Sequence, residues 1–214
     1  MRSVEPLVGG EDVRRVVALA VDALRDADAH AWEAKAGTLE WTCWETLEHL
    51  ADDLFTYAAR FGLAKPPTSG LLPFRTSSDR SGGPANVIFA DRAGGAEGLL
   101  TIVEACGGLL VSVLRAAPSD TVAYHVFGAS DPEGFAAMAV VEVLVHTHDL
   151  AQGLDLEWSP PRELCERVLK RLFPHHAAVD GDAWEILLWA TGRIALPDRP
   201  RLTEWRWYGT RDAS

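Results

Sequence analysis

Cysteine is scarce in this chain, and the little there is does not pair. Cys43, Cys106 and Cys165 are widely separated, form no CxxC and leave one thiol over from any disulfide, which argues against a disulfide framework. That usage fits a reducing, cytoplasmic setting. Positive charge is in the minority: 20 Lys and Arg stand against 31 Asp and Glu, a formal net charge of −11. This balance repels nucleic-acid phosphate and anionic membrane surfaces, so neither is expected as a partner. An uninterrupted apolar run of transmembrane length is missing too. The richest stretch, 135–145, is broken by Glu142 and followed by His146, His148 and Asp149. The first ten residues carry no apolar core of the kind a signal peptide has. Repeats and low-complexity segments are absent, and lysine is rare beside arginine in an alanine-rich chain, which suggests a GC-rich bacterial host.

What is there is a globular composition, 48% hydrophobic and 24% charged over 214 residues, enough for one domain with a real core. Apolar residues recur at helical spacing from Glu11 to about Ala36, with Gly37 as the stop. Thr42-Cys43-Trp44-Glu45 has the form of a capping box and predicts a second helix to about Phe61. Its apolar stripe is Leu47, Leu50, Leu54, Tyr57, Ala58 and Phe61, with Glu45, His49, Asp52 and Asp53 on the other side. A Pro- and Gly-rich connection, 65–83, is long enough to be functional. A short strand is expected at 86–90, a third helix at 97–116 weakened by Gly107 and Gly108, and an extended segment or strand at 121–127. Ser130-Asp131-Pro132-Glu133 starts a fourth helix, read with Ser130 as the cap, that runs to Gly153. Two shorter helices, about 162–173 and 182–196, and an aromatic, arginine-bearing tail at 199–211 follow. The expected organisation is mainly α: a four-helix bundle with short strands over 1–156, and a small C-terminal α(+β) extension over 157–214.

Chemistry concentrates in the fourth helix. Glu142 and His146 are one turn apart and Asp149 lies two turns from Glu142, so the three face nearly the same way. They emerge from a segment apolar on every side, the mark of a buried helix. A buried carboxylate needs a partner or a metal, and Glu-x-x-x-His offers one oxygen and one nitrogen ligand on adjacent turns. A third ligand must come from another helix, for which His49 is the candidate. Two plainer readings stand beside this one: Glu142 and His146 as an ordinary buried hydrogen-bonded pair, and His49 as a solvated residue beside Glu45 and Asp53. His148 faces away from His146 and reads as supporting or structural, and Asp149 as a residue that orients His146. Cys43 reads as a small buried side chain.

The segment Phe127-Gly128-Ala129-Ser130-Asp131-Pro132-Glu133-Gly134-Phe135, continued by Glu142-Val143-Leu144-Val145-His146-Thr147-His148-Asp149, resembles the mycothiol-dependent maleylpyruvate isomerase family of the DinB-like superfamily. Trp44-Glu45-Thr46-Leu47-Glu48-His49-Leu50 is similar to that family's histidine-bearing second helix, and the resemblance covers most of 11–153. It implies a DinB-like bundle in which His49, Glu142 and His146 hold a divalent metal, zinc or else nickel. It implies further a low-molecular-weight thiol such as mycothiol, deprotonated at the metal, which adds to an electrophilic carbon of a small-molecule substrate. The product is a thiol adduct (transferase) or an isomer (cis/trans isomerase). His125 resembles a recurrent histidine of these proteins, as a proton donor or as a cap on the preceding segment. Arg193, in Trp189-Ala190-Thr191-Gly192-Arg193, resembles an arginine that meets a substrate carboxylate; by position alone it is a basic residue at a helix end. The family's isomerase has a larger C-terminal domain than 157–214 supplies, which leaves the substrate open.

Two other functions belong to the same residues. One is a non-catalytic bundle that binds a small molecule or partner, supported by eight tryptophans able to line an apolar pocket. The other is metal-assisted hydrolysis, which needs no thiol. Trp32 and Trp41 fit either the core or a homodimer surface.

Overall fold

The computed structural model describes residues 7–210. Six α-helices carry the fold: α1 Gly10–Leu24, α2 Cys43–Phe61, α3 Gly95–Ala116, α4 Pro132–Leu154, α5 Arg162–Leu172 and α6 Ala183–Ala190. The first four form a bundle in which α2 packs on α3 and α4, and α1 packs on the same two helices from the other side. Helix α5 then packs on α4, and α6 packs on α5. The central helix is α4, where Phe135 to Val145 are all buried except Glu142, as expected of a helix apolar on every face.

Local chemistry sets the helix starts. Thr42 Oγ1 accepts from Glu45 N at 3.1 Å and Glu45 Oε2 accepts from Thr42 N at 2.8 Å, so the capping box at α2 is formed. At α4 the cap is Asp131, one residue after the Ser expected in that role: Asp131 Oδ1 accepts from Gly134 N at 2.8 Å and Pro132 takes the first helical position. The Ser130 hydroxyl instead donates to Gly209 O, tying the tail to the bundle. Gly107, expected only to weaken α3, lies where α3 crosses α1. A Cβ there would come 3.1 Å from Val17 Cγ2, so glycine lets the two helices approach.

Three expectations are corrected. The first helix ends at Leu24 and not near Ala36, because Asp28 Oδ1 captures His30 N at 2.8 Å and turns the chain into a single 3-10 turn, Ala31–Glu33. The sixth helix stops at Ala190, well short of Leu196, where Gly192 adopts a φ of +71°. No strand forms among the described residues, only isolated bridges such as Ser77–Asn86 and Ala123–Ser130. At 86–90 the reason is specific. The Val87 and Ile88 amides donate to Asp52 Oδ1 at 2.7 and 2.9 Å, and Ala90 N donates to Glu48 Oε1 at 2.8 Å, so α2 carboxylates take the place of a partner strand.

The acidic side of α2 is therefore covered. Segment 62–91 lies across it, pinned also by Arg80, which donates to both Glu45 oxygens at 2.7 and 2.8 Å and to Glu40 O at 2.8 Å. Segments 92–116 and 132–154 are long and apolar enough to cross a membrane by length and composition; the second is 89% buried inside the bundle over its most apolar stretch. Residues 1–6, on which the reading of the N-terminus rests, and Arg211 of the tail lie outside the described residues.

Candidate metal centre

Helices α2 and α4 face each other with ligand-type side chains at matching height. On α2, His49 and Asp53 are one turn apart, with Nε2 and Oδ2 separated by 3.5 Å. On α4, His146 Nε2 lies 3.3 Å from Glu142 Oε2. Across the interface the imidazoles of His49 and His146 stand edge to face, ring centres 5.8 Å apart. One ligand atom each from His49, Asp53 and His146 lie within 4.8 Å of one another. Zinc holds nitrogen and oxygen ligands at about 2.0–2.2 Å, so side-chain shifts of the order of 1 Å would bring this trio into a coordination sphere. Trp41 covers both histidines, its ring centre 4.8 Å from that of His49 and 6.5 Å from that of His146. It is thus a half-buried lid over the site, while Trp32 is core.

Both histidines are oriented from behind. Asn86 Oδ1 is 2.9 Å from His49 Nδ1, and Asp149 Oδ2 is 3.3 Å from His146 Nδ1. With Asn86 so placed, His49 Nδ1 carries a proton and its Nε2 is turned to the shared centre, the arrangement in which metal-ligating histidines are usually held, whereas at His146 the Asp149 contact is an ion pair and not an aligned hydrogen bond. Asp149 is itself fixed by Arg193, whose Nη2 donates to Oδ2 at 2.8 Å.

The charges fit a cation. Burial pushes the Asp53 carboxyl up to about 7, with His49 pulling it down and Glu142 pushing it further up. Burial alone would lower His146, but Asp149 and Glu142 outweigh it and hold the imidazole up at about 9. Burial opposes ionisation of Glu142 as well, and His146 and His49 reverse that and keep it below the usual carboxylate range. Two half-buried carboxylates that repel each other, with a proton held at His146 between them, form a site where a divalent ion could take the proton's place.

The structure thus brings His49, Glu142, His146 and Asp149 together. Asp53 joins them. It was read from the sequence only as a neighbour of a solvated His49, although His-x-x-x-Asp has the same one-turn spacing as Glu-x-x-x-His. Asp53 stands in the closest trio, the place expected for Glu142, and Glu142 adjoins through His146 and accepts from Tyr57 Oη at 3.4 Å. Asn86 comes from the covering segment and has no local sequence signal. His49 lies beside Asp53, as the plainer reading has it, but is half-buried and not fully solvated: its side chain is 22% exposed and lines a cavity.

The remaining candidates are elsewhere. His125 is buried among the rings of Tyr57, Phe127, Phe135 and Trp207, with Nδ1 accepting from Phe127 N at 3.1 Å, which is the capping role. His148 faces away, against Gln152 and Trp184. Arg193, expected to meet a substrate carboxylate, is paired with Asp149 and also donates to Thr191 O. The three cysteines are buried, which pushes Cys43 and Cys106 up to about 11 and Cys165 to about 12.

The cavity beside the cluster measures about 490 Å³ and is walled by His49, Asp53 and Arg60 of α2 and by Leu71, Leu72 and Phe74 of the covering segment. That volume is in the range of small-molecule sites. No protein-family model, curated protein or solved structure matches this chain.

Proposed function

We propose that this protein is a divalent-metal enzyme of the DinB-like bundle class that joins a low-molecular-weight thiol to a small electrophile, as a thiol transferase or a cis/trans isomerase. The carrying observation is the convergence of His49, Asp53 and His146 from two helices, with His49 and Asp53 lining a ligand-sized cavity, His49 braced through Nδ1 by Asn86 and His146 paired there with Asp149. A histidine on the second helix and a Glu-x-x-x-His pair on the fourth are the placements that the family resemblance implies. A zinc or nickel ion held there would supply Lewis acidity and keep a bound thiol deprotonated at neutral pH.

The protein's own side chains do the rest. His49, Asp53 and His146 would hold the ion, and Asn86, Asp149 and Arg193 would keep those side chains aimed. Trp41 shields the cluster, and the cavity admits the electrophile on the side of α2. With thiol groups pushed to about 11 or above and buried, the chain's cysteines do not serve as nucleophiles, so in this reading the thiol comes from a separate small molecule.

The test is thiol consumption by zinc-loaded protein with mycothiol and simpler thiols against a panel of electrophiles. Loss of free thiol that needs protein, metal and electrophile together is the expected result. Turnover without thiol would move the assignment to hydrolysis, and no turnover with any pair would favour a binding protein.

A further inference from the structure

Arg60 is a largely buried cation that forms no ion pair among the described residues, the carboxylate acting on it being that of Asp53, two turns back on the same helix. Its residue is 9% exposed, its Nη1 is sealed from solvent, and that nitrogen has no hydrogen-bond partner among the described residues. The guanidinium lies over the rings of Tyr57 and Phe135, at 5.4 and 5.7 Å from their centres, which fixes it without neutralising it. Such a charge is costly to bury unpaired, and proteins keep one where a ligand completes it.

Arg60 also belongs to the wall of the cavity that reaches His49 and Asp53. His49, Asp53, Thr56 and Arg60 follow one another at intervals of four, three and four residues, a single stripe down α2. From Asp53 to Arg60 the stripe runs about 10 Å along the helix axis, the reach of a small molecule. The facing wall is apolar: Leu71 and Phe74 leave 55% and 43% of their surface exposed beside it, with Leu72 and Pro73 between them.

We propose that this cavity binds a small monocarboxylate, its head group paired with Arg60 and its apolar body lying along Leu71, Leu72 and Phe74 toward the His49–Asp53 end. A monoanion fits better than a phosphate. The wall offers a single cation, Arg60, beside the Asp52 and Asp53 carboxylates, which would repel the second charge of a phosphate. A guanidinium recognises a carboxylate through paired N–H donors, which is why arginine and not lysine suits the position. Only in naming this ligand as the substrate does the inference rest on the proposed function.

The test uses calorimetric titration of the full-length protein, as purified and again after chelation, with hexanoate, hexanamide and hexyl phosphate. Hexanoate is expected to bind at least ten-fold more tightly than either analogue in both preparations. Arg60→Met should lose hexanoate at least ten-fold, and Arg60→Lys should keep part of it. Because Arg60→Met removes an unpaired buried charge, its Tm should be no lower than that of the wild type. Equal binding of hexanoate by wild type and Arg60→Met, or of hexanoate and hexanamide by the wild type, overturns the proposal. Tighter binding of hexyl phosphate overturns the head-group assignment. A lowered Tm in Arg60→Met with no hexanoate binding by any variant makes the arginine structural and overturns it as well. Zinc uptake by the same preparations separates the two claims: hexanoate binding without zinc uptake sinks only the metal enzyme, and zinc uptake without hexanoate binding sinks only the carboxylate site.

Discussion

The side chain of Asn86 is 2.9 Å from Nδ1 of His49, on the far side of the ring from Asp53. This contact joins the covering segment to α2 and selects which ring nitrogen is turned to the centre. Removing such a partner typically costs a metal site ten- to a hundred-fold in affinity. Asn86→Ala should therefore weaken zinc binding by about that factor in competition with a chelating dye, and Asn86→Asp should restore most of it. Unchanged affinity in Asn86→Ala would show that His49 is not held this way.

Arg193 serves the same end from the other helix, through Asp149, whose side chain is 1% exposed. Truncating one partner of a buried pair leaves the other charge stranded, at a cost of about 3–5 kcal/mol. Arg193→Met should cost roughly the lower figure in urea unfolding, since His146 still touches Asp149. The double variant Arg193→Met/Asp149→Leu should recover part of it. Full stability of Arg193→Met would contradict the pairing and return the arginine to a role in ligand contact.

His125 makes stability depend on pH. Burial, and after it the nearby Arg60 charge, push its pKa from 6.5 down to about 4, so the native imidazole is neutral at neutral pH. Its contribution is present above the unfolded value of 6.5 and is lost as pH falls toward 4, because the unfolded chain takes the proton first. Between those limits the wild type should lose stability relative to His125→Leu, by about 3 kcal/mol at most. Parallel stability–pH curves for the two proteins would refute the burial of a neutral imidazole there.

Gly153 sits where α4 passes the start of α2. A Cβ at this position would come 2.3 Å from the Lys35 carbonyl oxygen and 2.5 Å from Cys43 Sγ, and a backbone atom cannot step aside as a flexible side chain can. Gly153→Ala should destabilise the fold by about 2 kcal/mol or more despite the better helix propensity of alanine, whereas Gly98→Ala, with open space around it, should not. Thermal unfolding of the two variants decides this.

How far the sequence discloses this site follows from which interactions are local. The capping box of α2, the start of α4 to within one residue of its cap, and the shared face of Glu142, His146 and Asp149 are relations within one or two helical turns, so they can be read along the chain. Asp53 has the right spacing to His49, but its side of α2 reads as solvated because what covers it is an irregular segment anchored by Asp52, Glu48 and Glu45. Asn86 is 37 residues from His49, and no pattern announces that contact. Arg60 looks like any basic residue in the last turn of a helix, where it suits the dipole. Only the cavity shows that it has no partner. The shortened α1 and the missing strand at 86–90 have one cause: carboxylates capturing backbone amides, an option that apolar periodicity does not register.

The most direct measurement is the metal content, by elemental analysis, of protein purified without a metal-binding tag, for wild type and for His49→Ala, Asp53→Ala, Glu142→Ala and His146→Ala. The account predicts near-stoichiometric zinc or nickel in the wild type and its loss in the His49, Asp53 and His146 variants, with the Glu142 variant showing whether that carboxylate shares the ion. A wild-type protein that takes up no metal even after incubation with zinc would contradict it and leave the cluster as a buried network of hydrogen-bonded pairs.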